Sequence, residues 1–185
     1  MCQPASFIVT KDSVLWSKVT ESHEDILSEF GFHMDGARGP NGARVELSPR
    51  NGLFWTDPAM WVFKIDQDAV PEWWDAADAE RRVKAAALNW QATKIIKPDQ
   101  RRDEIKKGEF VLFSYGTVQE IWGGTVQEIL GGTVQEIWGG TVQEILGGTV
   151  QAYEHVDPAI LTGPHAVLID RSGEFPVCHV GKEQK

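Results

Sequence analysis

The stretch GTVQEIWGGTVQEILGGTVQEIWGGTVQEILGGTVQ occupies residues 116–151 and decides the fold. It consists of an eight-residue unit that occurs four times and begins a fifth time. The seventh position of the unit alternates between two apolar residues, at Trp122, Leu130, Trp138 and Leu146. The full repeat is therefore sixteen residues long, and a sustained period of this kind indicates an architecture of stacked units.

Eight residues allow only a strand and a turn, because helical repeats need about 33 residues. Thr, Val and Ile favour strands, and Gly-Gly supplies the positive φ that a sharp corner requires. An antiparallel meander is one arrangement, but its straight strands place Val118 and Ile121 on opposite faces and leave neither face apolar. A parallel β-solenoid with a bend near Gln119 and Glu120 turns both apolar residues inward. The repeat therefore favours a β-solenoid over a meander.

With two units in each coil, the solenoid pairs residues that are sixteen positions apart. We expect parallel ladders such as Val118 with Val134 and Ile129 with Ile145. The two Trp residues of the repeat then stack in one ladder and the two Leu residues in another, about 4.8 Å apart along the axis. Val and Ile fill the thin core of such a coil, so the Trp side chains should project outward.

The four Glu residues of the repeat form ladders as well. Glu120 is expected next to Glu136, and Glu128 next to Glu144. Like charges on adjacent strands repel each other. We therefore expect the solenoid to become somewhat more stable as the pH falls through the Glu range.

Units of the form (Gly/Ala/Ser)-Thr-Val-x-x-x-Gly resemble the octapeptide β-solenoid repeats of uncharacterised bacterial and phage proteins. The resemblance covers residues 116–151 and implies a β-solenoid, without an activity or functional residues. Alternate copies are identical letter for letter. A recent duplication and deliberate consensus engineering both account for this identity.

The rest of the chain places the repeat within an α+β protein. Residues 1–108 are predicted to form an N-terminal α+β cap domain, and residues 109–185 a short parallel β-solenoid with C-terminal capping strands. Within residues 152–185, strands at 166–169 and 177–180 are expected to be joined by a turn. A cap is needed because the bare end of a solenoid exposes an open strand edge.

Local signals predict the elements of the first part. A strand is expected at residues 6–10, and Ser22 with Asp25 fits a capping box that starts a helix. Asn51-Gly52 predicts a hairpin between residues 43–47 and 53–56. The remaining expectations are a strand at 61–65, a helix at 75–92, a charged connector at 97–108 and a strand at 109–115.

Composition excludes several classes of function. The net charge is -9 and the chain contains 27 acidic against 18 basic residues, which argues against nucleic-acid binding. No apolar run reaches the roughly 18 residues of a membrane span. The two cysteines, Cys2 and Cys178, form no disulfide framework. The prediction is a cytoplasmic protein that binds neither nucleic acid nor membrane.

The chain carries no recognisable catalytic, cofactor or metal motif. Its five His residues show no HxxxH or HExxH spacing, and no CxxC occurs. His23 precedes two acids at the start of a helix, where acids complement the helix dipole. Cys178 and His179 are neighbours on a strand and point to opposite faces, so they do not pair with each other. His165 reaching Cys178 from another strand is the alternative to the expected buried, inert Cys178. We therefore predict no catalytic, cofactor or metal site.

These observations predict a non-enzymatic structural protein that self-associates. The expected interface comprises Trp122, Leu130, Trp138 and Leu146, in a homodimer. The alternative is that the strip is covered inside the chain, by the 75–92 helix or the C-terminal strands.

Three other functions stay open. The N-terminal domain would be a small enzyme or ligand-binding domain if it holds a pocket of titratable groups near His23, His33 or Asp66. The Glu ladders would make the solenoid an acidic mimic of DNA. The third is ice binding by ladders of Thr, but the repeat lacks the flat double column of Thr that such a surface uses.

Overall fold

The computed structural model describes residues 5–37 and 39–181. The chain divides into two compact units, Met1–Thr93 and Lys94–Lys185. The first unit combines α-helix with antiparallel sheet, and the second is a parallel β-solenoid with C-terminal strands. The predicted fold class is confirmed.

The first unit is built around one antiparallel sheet. Its strands are β1 (Ser6–Thr10), β2 (Val14–Leu15), β3 (Asp35–Gly36), β4 (Gly39–Pro40), β5 (Gly42–Ser48) and β6 (Val62–Ile65), and its helices are α1 (His23–Glu29) and α2 (Ala76–Lys94). The main sheet has the order β2-β1-β5-β6, while β3 and β4 form a separate pair. The strand β1 is buried at all five positions, which makes it the centre of this unit's core.

Local capping chemistry sets the ends of α1 as the sequence predicts. The Ser22 side chain accepts a hydrogen bond from the Asp25 N–H, which satisfies one of the free donors of the first turn. Gly31 has a φ of 58°, a left-handed conformation that ends the helix. The predicted helix at 75–92 is also confirmed, as α2.

The predicted hairpin at Asn51-Gly52 is wrong. The strand β5 pairs with β1 and β6, and residues 53–56 form a turn instead of a strand. Phe54 packs edge to face on Trp61, with ring centroids 5.3 Å apart. The Gln91 amide donates to the carbonyls of Phe54 and Thr56, at 2.7 Å each. A side chain thus satisfies backbone groups that a strand partner would otherwise bond.

The solenoid consists of about five coils, each with two sides. Its strands are β7 (Ile95–Ile96), β8 (Arg101–Ile105), β9 (Phe110–Ser114), β10 (Thr117–Ile121), β11 (Thr125–Ile129), β12 (Thr133–Ile137), β13 (Thr141–Ala152), β14 (Leu161–Asp170) and β15 (Val177–Val180). One side stacks β7, β9, β11 and the start of β13, and the other stacks β8, β10, β12 and the end of β13. The strand β14 follows β13 in parallel, and β15 pairs with β14 in antiparallel orientation.

The register within the repeat agrees with the sixteen-residue prediction. Val118 pairs with Val134, and Ile129 pairs with Ile145, both in parallel. Val118 and Ile121 are both fully buried, so the chain bends between them. These pairings confirm the solenoid and exclude the meander.

The charged segment predicted as a connector contains the first complete strand of the solenoid. In β8, Arg101 pairs with Thr117, and Ile105 pairs with Ile121. Arg102 lies in register with Val118, and its guanidinium bonds the Glu109 carboxylate at 2.6 Å. Because this coil ends the stack, a paired cation replaces the apolar residue, and the charges hide the repeat in the sequence.

The predicted C-terminal strand pair is confirmed. The strands β14 and β15 pair antiparallel, with Leu168 opposite His179 and Ile169 opposite Cys178. Among the described residues, no helix is long and apolar enough to cross a membrane.

Candidate functional site

An aromatic column runs along one corner of the solenoid. It comprises Trp122, Trp138 and Tyr153, one residue from each of three successive coils. The rings of Trp122 and Trp138 are stacked with centroids 5.7 Å apart and planes inclined by 12°. Trp138 and Tyr153 stack at 4.6 Å and 16°. The predicted Trp ladder is therefore present, and it is one residue longer than the sequence indicated.

Tyr153 joins the column because the fifth copy of the repeat is one residue shorter. Ile137 pairs with Ala152 after a shift in register, and the Tyr153 N–H donates to the Ile137 carbonyl at 2.9 Å. Trp138 makes the equivalent bond to Ile121. The sequence signal for this placement is an aromatic residue, Tyr153, directly after the inward-facing Ala152. The loss of the repeat pattern in this segment obscures that signal.

Each Trp of the column bonds to a carboxylate two residues earlier. The Trp122 Nε1–H donates to Glu120 Oε2 at 2.5 Å, and the Trp138 Nε1–H donates to Glu136 Oε2 at 2.7 Å. The polar edge of each indole is thereby satisfied within its own coil. The Glu ladder on this side therefore acts as a row of acceptors for the rings.

The coil before Trp122 uses the same arrangement with a cation. Lys106 follows Ile105, whose carbonyl accepts the Trp122 N–H, so Lys106 occupies the position of the column in the first coil. Its Nζ lies 2.6 Å from Glu104 Oε1. The hydrogen bond to Glu104 and the attraction of its charge raise the pKa of Lys106.

A second cation occupies the column position beyond Tyr153. The Arg171 N–H donates to the Ala152 carbonyl at 2.7 Å, and the Arg171 Nε–H donates to Gln151 Oε1 at 3.0 Å. The aromatic column is thus bounded by Lys106 in the first coil and by Arg171 in the last. Three ring residues and two cations occupy one continuous row.

The rings of the column cover one another where they stack, and both Trp residues still reach solvent. Trp122 is 55% exposed and Trp138 is 36% exposed. The predicted outward orientation of both Trp residues is therefore confirmed, and the C-terminal strands do not cover them. The two Trp residues thus present exposed apolar surface whose indole N–H groups are already bonded within the chain.

The opposite corner carries the Leu column, which comprises Leu130 and Leu146. Both residues are half-buried, and they follow the paired Ile129 and Ile145. Leu offers no donor, so the arrangement of acid and ring on the Trp side has no counterpart here.

The carboxylates beside the Leu column are stacked with less compensation. Glu128 lies in register with Glu144. Burial, and to a lesser extent the charge of Glu144, raise the pKa of Glu128. Glu144 accepts a hydrogen bond from Thr162 Oγ1 at 2.6 Å, whereas Glu128 has no donor among residues 5–37 and 39–181. Both expected Glu ladders are therefore present, since Glu120 also lies in register with Glu136, and Glu128 is the repeat carboxylate without a donor in the described part of the chain.

A pocket of about 440 Å³ in the first unit lies where the enzyme alternative expects one. Its lining consists of Glu21, Ser22, His23, Glu24, Arg44 and Asp66. His23 is buried, its Nε2 lies 3.1 Å from the Val45 carbonyl, and its Nδ1 lies 3.6 Å from Asp66 Oδ2. A carbonyl only accepts, so Nε2–H is the donor and Nδ1 faces Asp66. One ring nitrogen thus bonds the backbone, and the other faces the Asp66 carboxylate across 3.6 Å.

The remaining candidate residues do not converge. His33 is exposed and is not among the residues lining that pocket. Cys178 lies opposite Ile169, four residues along β14 from His165, which is about 13 Å in an extended strand. Cys178 is exposed, so the prediction of a buried cysteine is wrong, because β15 lies at the edge of the sheet. Cys2 lies outside the described residues.

No group of three or more potential metal ligands occurs among the residues that the structure describes. No protein-family model, curated protein or solved structure matches the chain.

Proposed function

We propose that the chain is a non-enzymatic structural module that self-associates through the aromatic column. The observation that carries the proposal is the exposed apolar surface of the stacked Trp122 and Trp138. Exposed apolar strips on soluble proteins mark interaction sites. Aromatic residues are also enriched at protein interfaces.

The hydrogen bonds of the column favour a protein partner over a polar ligand. Glu120 and Glu136 already accept the indole N–H groups, so neither Trp offers a donor to a ligand. A sugar or a nucleobase stacks on the face of an aromatic ring, but the inner faces here cover one another. An apolar surface from another protein molecule needs neither a free donor nor a free ring face.

A second copy of the chain is the partner that this surface fits. The aromatic column is narrow, uncharged along its centre and repeated along the axis, so an equivalent strip on another copy matches it in length and spacing. Closed twofold dimers are the commonest form of oligomer. The Leu column is a weaker candidate, because both Leu residues are half-buried.

The acidic mimic of DNA is less well supported by these contacts. Glu120 and Glu136 are bonded to the rings beside them, and Glu144 is bonded to Thr162. Their carboxylates are therefore oriented by partners within the chain and do not project freely as phosphates do. Three further proposals rest on the sequence alone. They are a cytoplasmic location, the octapeptide type of the repeat, and the origin of the repeat by duplication or by engineering.

The structure itself supplies a substitution that tests the interface. Replacing Trp122 and Trp138 together by Lys recreates the Glu-x-Lys pair that Glu104 and Lys106 form in the first coil. This variant should fold, because the first coil has that pair. The matched control is the double exchange Leu130→Lys and Leu146→Lys in the Leu column.

The measurement is molar mass by light scattering across micromolar concentrations, with circular dichroism to verify folding. We expect the molar mass of the Trp double variant to be lower than that of the wild type at every concentration. Its circular dichroism spectrum should match that of the wild type. The Leu double variant should keep the mass of the wild type. A wild-type protein that is monomeric throughout, at 20.6 kDa, contradicts the proposal, as does a folded Trp variant with unchanged mass.

A further inference from the structure

The last strand of the solenoid leaves one of its edges unpaired. On one side β15 bonds to β14. On the other side no strand pairs with it among residues 5–37 and 39–181. Proteins usually protect such an edge with charged side chains or a bulge, because it offers a template for another strand. In β15 the four residues are Val177, Cys178, His179 and Val180, none of which is Lys, Arg, Asp or Glu.

We infer that β15 pairs antiparallel with β15 of a second copy of the chain, and that this forms a second self-association site independent of the aromatic column. The site is built from backbone groups and therefore does not depend on the Trp residues. If both sites act, the assembly contains more than two copies, since one chain then contacts two others.

The hydrogen bonds between β14 and β15 show which groups face the open edge. The Gly181 N–H donates to the Ala166 carbonyl at 2.9 Å, while Val167 pairs with Val180. In an antiparallel ladder, hydrogen-bonded and non-hydrogen-bonded pairs alternate. The backbone groups of Val180 and Cys178 therefore point away from β14. Each of these two residues offers one N–H and one C=O to a new strand.

These groups are self-complementary about His179. When two copies of β15 pair with His179 at the twofold axis, Cys178 of each copy exchanges both backbone hydrogen bonds with Val180 of the other. A register centred on Cys178 would place Val180 opposite Pro176, which has no N–H to donate. The position of Pro176 therefore favours the register centred on His179. The same arrangement brings two apolar Cys–Val pairs together.

The side chains around this edge are also unusually exposed for their type. Phe175 is 74% exposed, Val180 is 60% exposed and Val177 is 50% exposed. They lie together at the C-terminal end of the solenoid. In the proposed register no Lys, Arg, Asp or Glu of these four residues faces a like charge, and His179 faces its own counterpart, which repels it only when both rings are protonated.

Two variants at Val180 test the pairing without breaking the fold. Val180→Pro removes an N–H that points to the open edge and leaves the ladder to β14 intact, and edge strands tolerate proline. Val180→Lys keeps the N–H and adds a charge of the kind that blocks edge pairing. Val180→Thr is the matched control, because it keeps both the N–H and a β-branched side chain.

Molar mass and cross-linking separate this site from the aromatic column. In the proposed register the two Cys178 residues are diagonal neighbours about 7–8 Å apart, which a short bismaleimide spans and a direct disulfide does not. The Cys2→Ser background leaves Cys178 as the only thiol. Cross-linking should persist in the Trp122→Lys and Trp138→Lys variant, and it should be lost in Val180→Pro and Val180→Lys but not in Val180→Thr.

Hydrogen exchange gives a second readout. The amides of Cys178 and Val180 should become protected as the protein concentration rises, while the amides of Val177 and His179 should be protected at all concentrations by β14. Cross-linking that survives both Val180→Pro and Val180→Lys would overturn the inference. So would exchange at Cys178 and Val180 that does not depend on concentration, or an edge occupied by a strand of a different protein. The failure of the aromatic column as an interface would instead appear as an unchanged mass in the Trp variant alone.

Discussion

The two corners of the repeat differ at one residue in eight, and their chemistry differs much more. On the Trp side, Glu120 and Glu136 accept hydrogen bonds from the rings two residues later. On the Leu side, Glu128 stacks on Glu144 without a donor of its own among the described residues, and its pKa is raised by burial and by that neighbour. A Trp at the seventh position thus supplies a donor to the carboxylate two residues earlier, whereas a Leu supplies none, and Glu144 is bonded only through Thr162.

The glycines at the corners should give the largest effect. Gly132 has a φ of 75°, and a Cβ there would lie 2.0 Å from the Gly116 carbonyl oxygen, whereas a Cβ on the preceding Gly131 meets nothing within 4 Å. We expect Gly132→Ala to lower the free energy of unfolding by about 2 kcal/mol or more, since the left-handed conformation alone costs about 1–2 kcal/mol. Gly131→Ala should be neutral or slightly stabilising. Urea denaturation measures both, and equal losses would show that the corners do not depend on this close contact.

An exchange between the two sides tests the role of the indole N–H. Trp122→Phe keeps an aromatic ring in the column and removes the donor to Glu120, so we expect a loss of about 0.5–1.5 kcal/mol in the free energy of unfolding. Leu130→Trp makes the opposite change and supplies a donor to Glu128, so it should lower the pKa of Glu128. Urea denaturation and NMR titration of the Glu carboxyl carbons measure these effects. If Trp122→Phe is as stable as the wild type, the acceptor role of Glu120 contributes nothing.

The smallest effect is a dependence on pH that belongs to the Leu side. Because the pKa of Glu128 is raised above its ordinary value of 4.5, the folded chain binds a proton at a higher pH than the unfolded chain does. Stability should therefore rise as the pH falls from the raised pKa to about 4.5, with no further gain below it. Glu128→Gln should remove this rise, as measured by thermal unfolding between pH 7 and pH 4.

Asp170 provides an internal comparison with the opposite sign. Hydrogen bonds from Ser172 lower the pKa of Asp170 below its ordinary value of 3.8. Its contribution to stability is present above pH 3.8 and is lost as the pH falls through the lowered pKa. The two windows do not overlap, so Asp170→Asn should leave the rise above pH 4 unchanged. A rise that survives Glu128→Gln would contradict the assignment to the Leu side.

The sequence predicts the repeated coils well because the repeat overdetermines them. Val118 and Ile121 turn inward only if the chain bends between them, and the alternation of Trp and Leu sets a partner sixteen residues away. The outer coils follow the same register with different residues. Arg102 at the position of Val118 shows why periodicity alone misses the first coil, since an end coil accepts a paired cation.

Other features depend on contacts that a local pattern does not encode. Asn51-Gly52 is a hairpin signal, but Gln91, forty residues away in α2, bonds the carbonyls of the segment after it. Tyr153 enters the aromatic column only through a one-residue shift in register. The exposure of Cys178 follows from the position of β15 at the edge, which no property of the strand's own sequence determines.

The near identity of the middle coils has a consequence for how the chain folds. A segment that docks one coil too early or too late meets Thr, Val, Glu and Ile in the same places, so the misplaced state keeps most of its local contacts. Nearest-neighbour stacking makes such slipped states close in energy to the native state, and they act as kinetic traps during folding. Residues that do not repeat, such as Arg102 with Glu109 at one end and Tyr153 with Arg171 at the other, distinguish the native alignment from a slipped one. The irregular ends thus fix the number of coils. Replacing these residues by residues of the repeat should slow refolding, with a smaller effect on the free energy of unfolding.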